Sequence, residues 1–394
     1  MDTQPIGELL PPERTLMGPG PSDTHPRVLR AFSTPPVGHL DPSFVEIMDE
    51  VQSLLRTVFR TDNEWTIPVS GTGSAAMETA IGNLTEPGDT VLVPGNGYFG
   101  ERMAKMVKRA GGDPVVVAAP WGEPLAIETV KTECETHNPD VVCFVHAETS
   151  TGVKQPHVAD LTGVAHDHGA VVIADTVTSL GGVELEVDDW GIDVAYSAGQ
   201  KCLSCPPGAS PLTLSDRAME KVTSRDEPVR SWYLDLTELG SYWGDERAYH
   251  HTAPINNVYA LREALRIAVE EGLEARWDRH KHVAGALRDG VTEMGLSLNA
   301  EPEFWLPSLN AVRLPDGVDD GAVIEQLLTE YDIEVASGLG ALSGDILRIG
   351  SMGHSAKAEN VLAVVAALGD ALEQQGASVD AASGLEATRQ GLKQ

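Results

Sequence analysis

The chain has 394 residues, enough to bury a substantial core divided between two domains. Its formal charge of −31, from 59 acidic against 28 basic residues, excludes nucleic acid and anionic lipid as partners, since a surface this acidic repels both. Hydrophobic residues make up 42 % of the chain without any run long enough to span a bilayer, and Met1-Asp-Thr-Gln-Pro-Ile-Gly-Glu8 lacks the basic and apolar blocks of a secretion signal, so a cytoplasmic protein with no membrane partner is expected.

Residues 1–15, with Pro5, Pro11 and Pro12, read as an extended N-terminal arm. Phe44 to Phe59 then places apolar residues at three- and four-residue spacing, which predicts an amphipathic helix. From there strands and helices alternate. Strands are expected at Trp65 to Val69, Thr90 to Val93, Val115 to Ala118, Val141 to Val145, Val171 to Ala174 and Val194 to Tyr196, with helices at Ser74 to Leu84 and Gly100 to Ala110 between the first of them. Near-continuous apolar strands in such an alternation predict an α/β fold, a mostly parallel sheet covered by helices on both faces, over residues 16–270.

A helical stretch from Leu261 to Gly272 runs on into a second from Leu273 to Gly290, which carries the chain out of the large domain. Beyond it, strands at Ala311 to Leu314, Ile333 to Ala336 and Ile346 to Ile349 alternate with helices near Gly321 to Tyr331 and Ala358 to Gln374. These suit a smaller C-terminal α/β domain over residues 271–375. Residues 376–394 are small and polar and read as a partly disordered tail.

Acidic residues are spread along the whole chain and lysine is scarce, a pattern that predicts a high-salt cytoplasm, where screening shortens the reach of self-repulsion. The other reading is an acidic surface that serves solubility alone. The four cysteines, Cys134, Cys143, Cys202 and Cys205, are too few and too clustered for a disulfide framework and agree with a reducing compartment.

In a parallel sheet, ligands gather beyond the carboxyl ends of the strands. Lys201 stands after the Val194 strand and before a Pro-Pro-Gly turn, where burial disfavours its charge and makes the amine nucleophilic. Asp175 closes the Val171 strand. Together they are the two groups that pyridoxal 5′-phosphate uses, an amine for its aldehyde and a carboxylate for its ring nitrogen. Singly, each has an ordinary alternative, a solvated lysine or a helix-capping aspartate. Ser70-Gly-Thr-Gly-Ser-Ala76 opens a helix after the Trp65 strand, a place for a phosphate. Tyr249-His-His-Thr252 invites a metal reading, but neighbouring side chains of an extended segment point apart and a third ligand is not evident, so no metal is expected. Cys202 and Cys205 read as small core residues.

Ser197-Ala-Gly-Gln-Lys201 with its Pro-Pro-Gly turn, Ala174-Asp-Thr-Val-Thr-Ser-Leu-Gly-Gly182, His146-Ala-Glu-Thr-Ser-Thr-Gly-Val153, Gly18-Pro-Gly-Pro21, Asn96-Gly97 and Leu347-Arg-Ile-Gly350 occur in order between about Arg14 and about Leu372. In this set the chain resembles the class V, fold-type I aminotransferases, and within them the alanine-glyoxylate and serine-pyruvate group. The resemblance implies a pyridoxal 5′-phosphate enzyme. It carries phosphate contacts onto Thr72, Gly73, Ser74 and Gln200, ring stacking onto Phe99 and Val177, and contact at the O3′ or phosphate side onto Thr149. Asp175 would hold the ring nitrogen and Lys201 the aldehyde. Position 74 departs from the family, which commonly has histidine there.

Arg348 matches the family's residue for the substrate carboxylate, a role that the paired donors of a guanidinium suit. Tyr249 and Thr252 would reach the cofactor phosphate of a partner subunit, which implies a homodimer. The implied reaction is transamination, with alanine or serine as donor, glyoxylate or pyruvate as acceptor, and aspartate as an alternative donor. A cysteine desulfurase-like lyase typically has His before its lysine and a nucleophilic Cys in the small domain. Here Gln200 precedes Lys201 and no Cys follows Cys205. A non-catalytic relative of the fold would have lost Lys201, Asp175 or Arg348, and all are present.

Overall fold

Why the first long helix forms is plain from its ends and its stripe. Asp41 caps it by accepting from the Ser43 amide at 2.8 Å, Pro42 fits its first turn, and Arg60 ends it in a left-handed conformation. Between them, in Pro42–Phe59, the residues Phe44, Met48, Val51, Leu55 and Val58 recur at helical spacing and are buried. Each fully buried side chain of this kind contributes roughly 1.5–3 kcal/mol. The computed structural model describes residues 7–394, so the first part of the expected N-terminal arm, residues 1–6, lies outside the described residues.

The main sheet has seven strands, in the spatial order Trp65–Gly71, Gly208–Leu214, Val194–Tyr196, Val171–Asp175, Val141–Val145, Thr90–Gly95 and Asp113–Ala118. All run parallel except Gly208–Leu214, which is antiparallel to both neighbours. Val141–Val145 and Val171–Asp175 are buried at every position, as a sheet covered on both faces requires. The Gly208 strand has no counterpart in the sequence reading. Pro211 stands at its centre, facing Pro68 across the ladder, and proline ordinarily argues against an interior strand.

A second core gathers Val283, Leu287, Val312, Leu347, Ile349 and Leu368 around a four-stranded antiparallel sheet ordered Ser297–Leu298, Leu309–Arg313, Ile346–Gly350, Ala336–Ser337. Three expectations need correcting. The strand expected from Ile333 to Ala336 is split, Ile333–Glu334 pairing in parallel with Thr15–Leu16 while Ala336–Ser337 joins the four-stranded sheet. In consequence Met17 belongs to the second core, so the chain does not enter the large domain at residue 16. And the polar tail contains a helix, Ala381–Gly391, capped by Asp380 and packed on the helix Leu273–Glu293. Its small residues are the packing face. A Cβ on Gly384 would stand 2.7 Å from the Gly290 carbonyl oxygen, so the two helices meet at a distance only glycine permits.

Candidate active site

The cleft lies where a parallel sheet predicts it, and it is lined by the segments that follow five strands. The Trp65–Gly71 strand turns at Gly71, where φ is +155° and a Cβ would collide with that of Ala75 at 2.6 Å. The helix Gly73–Leu84 follows at once, with no capping bond from the Thr72 side chain. Its start therefore keeps the partial positive charge of unsatisfied amides. Thr72, Gly73, Ser74, Phe99, Thr149, Asp175, Val177, Gln200 and Lys201 all line one cleft of about 630 Å³, open to solvent. A second cleft of about 770 Å³, bordered by Ile81, Arg109, Arg230 and Leu234, contains none of them.

Lys201 was expected at a strand end and instead occupies a turn well past Tyr196, the last residue of its strand. Pro206 and Pro207 cannot donate to the sheet, so the chain leaves the ladder and closes on itself, Ser204 N to Lys201 O at 3.0 Å and Cys205 N to Gly199 O at 2.9 Å. Over this turn runs the segment 18–22. Lys201 Nζ donates to the Pro19 carbonyl, and Ser22 Oγ donates to the Lys201 carbonyl at 2.7 Å. Gly20 has φ +105°, a conformation that favours glycine, and a Cβ there would stand 2.6 Å from Nζ and displace the lysine side chain. Burial, aided by the charges of Arg348 and Arg102, lowers the Lys201 amine to about 8 from 10.5, against the opposing pull of Asp175 and Cys202.

Asp175 is buried, and burial raises it to about 6. Two donors oppose that rise, the Val177 amide at 2.9 Å and the Tyr196 hydroxyl at 2.8 Å. Tyr196 escaped sequence reading, although strand register puts it opposite Asp175. Glu148 escaped as well. Its carboxylate, pushed up by burial to about 7, accepts from Ser150 N at 3.0 Å, Ser150 Oγ at 2.6 Å and the Phe99 amide at 3.2 Å. It thereby fixes the start of the helix Tyr98–Ala110, whose cap Gly97 has no side chain to do so. A third missed residue is Arg102, in the cleft wall beside Phe99.

Arg348 comes from the second sheet and does not line the same cleft, yet its charge is felt at Lys201. It is only 7 % exposed. Burial lowers its guanidinium to about 10, Glu148 opposes, and Nε donates to the Ser337 carbonyl at 2.7 Å. Tyr249 and Thr252 are not brought to the cleft of their own chain. Tyr249 is 64 % exposed, and Thr252 is exposed too. The expectation that His250 and His251 point apart is incorrect. The backbone bends at His251, and the two Nδ1 atoms stand 2.8 Å apart, with His251 Nε2 2.6 Å from Ser70 Oγ. Among the described residues no cluster of three His, Cys, Asp or Glu side chains is arranged to hold a metal. All four cysteines are buried and unpaired, and burial raises Cys202 to about 11.

The sequence profile described as Aminotransferase class-V matches residues 28–364. The chain belongs to the class-V aminotransferases. Among similar proteins, the alanine--glyoxylate aminotransferase of Mus musculus is 40 % identical over 366 residues, covering 92 % of this chain and 88 % of that one. The crystal structure of an alanine--glyoxylate aminotransferase from Nostoc sp. superposes with a TM-score of 0.92 at 50 % identity, covering 94 % of this chain and 98 % of the other. That of a ureidoglycine-glyoxylate aminotransferase from Bacillus subtilis gives 0.96 at 39 % identity, covering 98 % and 100 %.

A class-V aminotransferase is a pyridoxal 5′-phosphate-dependent transaminase, and this cleft fits that cofactor on its own evidence. Gln200 Oε1 is buried without a hydrogen-bond partner, an orphan that a ligand would satisfy. Beside it the helix start at Gly73 suits a phosphate, and across the cleft a buried carboxylate and a lysine of depressed pKa suit a pyridine nitrogen and an aldehyde.

Proposed function

We propose that this aminotransferase moves an amino group between alanine or serine and glyoxylate or pyruvate. The observation that carries the reading is the joining of Lys201, Asp175 and Gln200 in one cleft, with Arg348 buried close enough to act electrostatically on the lysine. Glyoxylate as acceptor draws support from the names of all three similar proteins, two of which add alanine as donor. Ureidoglycine is a second donor to consider, because the Bacillus subtilis structure superposes at a TM-score of 0.96. Aspartate remains the alternative within the class.

When bound, pyridoxal 5′-phosphate supplies an aldehyde that condenses with amines and a ring that accepts the electron pair left on the substrate α-carbon. In this reading Thr72, Gly73, Ser74 and Gln200 hold the phosphate, Phe99 and Val177 enclose the ring, and Thr149 hydrogen-bonds at its O3′ side. Asp175 keeps the ring nitrogen protonated, and the Tyr196 hydroxyl and Val177 amide hold that carboxylate in place. Lys201 anchors the cofactor at rest and yields to the substrate amine. Its freed amine would be placed to take the proton from the substrate α-carbon as base and to return it as acid. In the cofactor-free chain a pKa near 8 leaves an appreciable share of the Lys201 amine neutral at pH 7 to 8, ready to condense with the aldehyde. Arg348, with Nε engaged by Ser337, offers its remaining N–H groups to the substrate carboxylate.

The exposed Tyr249 and Thr252 fit a role across a two-fold interface, where Tyr249 and Thr252 of the partner subunit would reach the phosphate. We infer a homodimer on that basis, with residues 16–270 as the cofactor-holding domain and 271–375 as the small one, apart from the Met17 exchange described above. Reduced, buried cysteines and the lack of any helix long and apolar enough to cross a membrane among the described residues support a cytoplasmic site of action. The charge of −31 supports adaptation to high salt. Assaying alanine, serine, aspartate and ureidoglycine against glyoxylate and pyruvate tests the assignment. The highest kcat/KM is expected for alanine or serine with glyoxylate or pyruvate. No turnover with any of those pairs would overturn it.

A further inference from the structure

Arg102 is a cation of the cofactor cleft with no role in the reading above. It stands in the first turns of the helix Tyr98–Ala110, and its guanidinium carbon lies 4.7 Å from the centroid of the Phe99 ring and 5.3 Å from that of Tyr98. Stacking on an aromatic face orients a guanidinium and leaves the N–H groups at its edge free to donate. One of those edges is turned toward the anion-receiving side of the cleft, since Nη1 stands 3.5 Å from Ser74 Oγ, in the first turn of the helix Gly73–Leu84.

In a chain with 59 acidic and 28 basic residues, a carboxylate is the default partner for an arginine. Among the described residues no Asp or Glu forms an ion pair with Arg102. Its charge nevertheless reaches Asp175, the Tyr196 hydroxyl that holds it, and Lys201, favouring the ionised forms of the first two and the neutral form of the lysine. The other groups assigned to the phosphate from this chain are neutral, a helix start, two hydroxyls and the Gln200 amide. A phosphate carrying nearly two negative charges needs more than hydrogen-bond donors from its surroundings.

We propose that Arg102 binds the phosphate group of the cofactor, with Phe99 serving both as its stacking platform and as a wall of the ring site. The inference rests on the reading of this cleft as the cofactor site. Pyridoxal, which has the ring and the aldehyde but no phosphate, separates a phosphate ligand from a prop for Phe99. The cofactor-free full chain and its Arg102→Ala and Arg102→Lys variants are titrated with pyridoxal 5′-phosphate and with pyridoxal at one fixed salt concentration, following the absorbance of the bound chromophore and the quenching of protein fluorescence.

Arg102→Ala is expected to weaken pyridoxal 5′-phosphate by about ten- to a hundredfold, with pyridoxal changed by no more than about twofold and Arg102→Lys falling between. Retained pyridoxal binding shows that the variant cleft is folded. An equal loss for both ligands overturns the proposal in favour of a prop on Phe99, and no loss for either overturns it outright. If the unaltered chain takes up neither ligand, the cofactor reading itself fails, and that failure is visible without any variant.

Discussion

Arg348→Ala isolates the step at which a substrate is recognised as an amino acid. Nε is committed to the Ser337 carbonyl at 2.7 Å, which leaves the two terminal nitrogens for a carboxylate. Two charge-assisted hydrogen bonds at about 1.5–3 kcal/mol each give about 3–6 kcal/mol, and little of that is lost to screening in a side chain buried this deeply. At about 1.4 kcal/mol per tenfold, the variant should lose roughly a hundred- to ten-thousandfold in kcat/KM for alanine, chiefly through KM. Arg348→Lys keeps a charge without the fork and should lose about half as many decades. The half-reaction is followed by the spectral change of the bound cofactor, with alanine and with ethylamine, which has no carboxylate to bind. Ethylamine should react at similar rates with both proteins. An alanine kcat/KM close to that of the unaltered enzyme, or a parallel loss with ethylamine, would refute the reasoning.

Asp175→Asn keeps a hydrogen-bonding side chain for Val177 and Tyr196 but removes the charge; turnover should fall by roughly a hundredfold or more with little change in KM, as steady-state kinetics will check. The pH dependence of cofactor uptake follows from the depressed lysine. Only the neutral amine condenses, so the uptake rate of the cofactor-free protein should climb roughly tenfold per pH unit and level off near the Lys201 value of about 8, whereas an unperturbed lysine would keep it climbing toward 10.5. Stopped-flow absorbance across pH 6 to 10 distinguishes the two profiles. Charge and assembly are also linked: two bodies of −31 repel at low ionic strength, so dimerisation and activity should rise together from tens of millimolar to molar potassium chloride. Light scattering that finds a fully active dimer at the lowest salt would show that the acidity is not a high-salt adaptation.

The main sheet was legible because strands such as Val141–Val145 and Val171–Asp175 are apolar at every position, a direct consequence of burial on both faces. Lys201 and Asp175 could be picked out from their places after apolar strands, whereas Thr72 and Phe99 came only from the family resemblance; all four line one cleft. What escaped depends on long-range contacts. The Gly208–Leu214 strand hides behind Pro211, whose missing amide is tolerated in a pairing with Pro68 that only the folded sheet reveals. The helix Ala381–Gly391 looked like a tail because its glycines, Ser383 and Thr388 weaken an isolated helix and Leu385 is its one large apolar side chain, whereas against Leu273–Glu293 Gly384 allows close approach. Tyr196, Glu148 and Arg102 were missed for a similar reason. Tyr196 could have been found by counting register from Asp175, since both end neighbouring parallel strands. Nothing local marks Glu148 as the acceptor for the Phe99 amide or Arg102 as a neighbour of Ser74, because each link joins segments far apart in the chain.

The covalent attachment of the cofactor to Lys201 is the claim on which the mechanism stands. Borohydride reduction of the holoenzyme, followed by proteolysis and mass spectrometry of the peptides, tests it directly. The account predicts loss of the visible absorbance band and a reduced pyridoxyl phosphate label on Lys201, in the turn closed over by Pro19 and Gly20. A label on any other lysine, or the absence of a chromophore after incubation with pyridoxal 5′-phosphate, would contradict it.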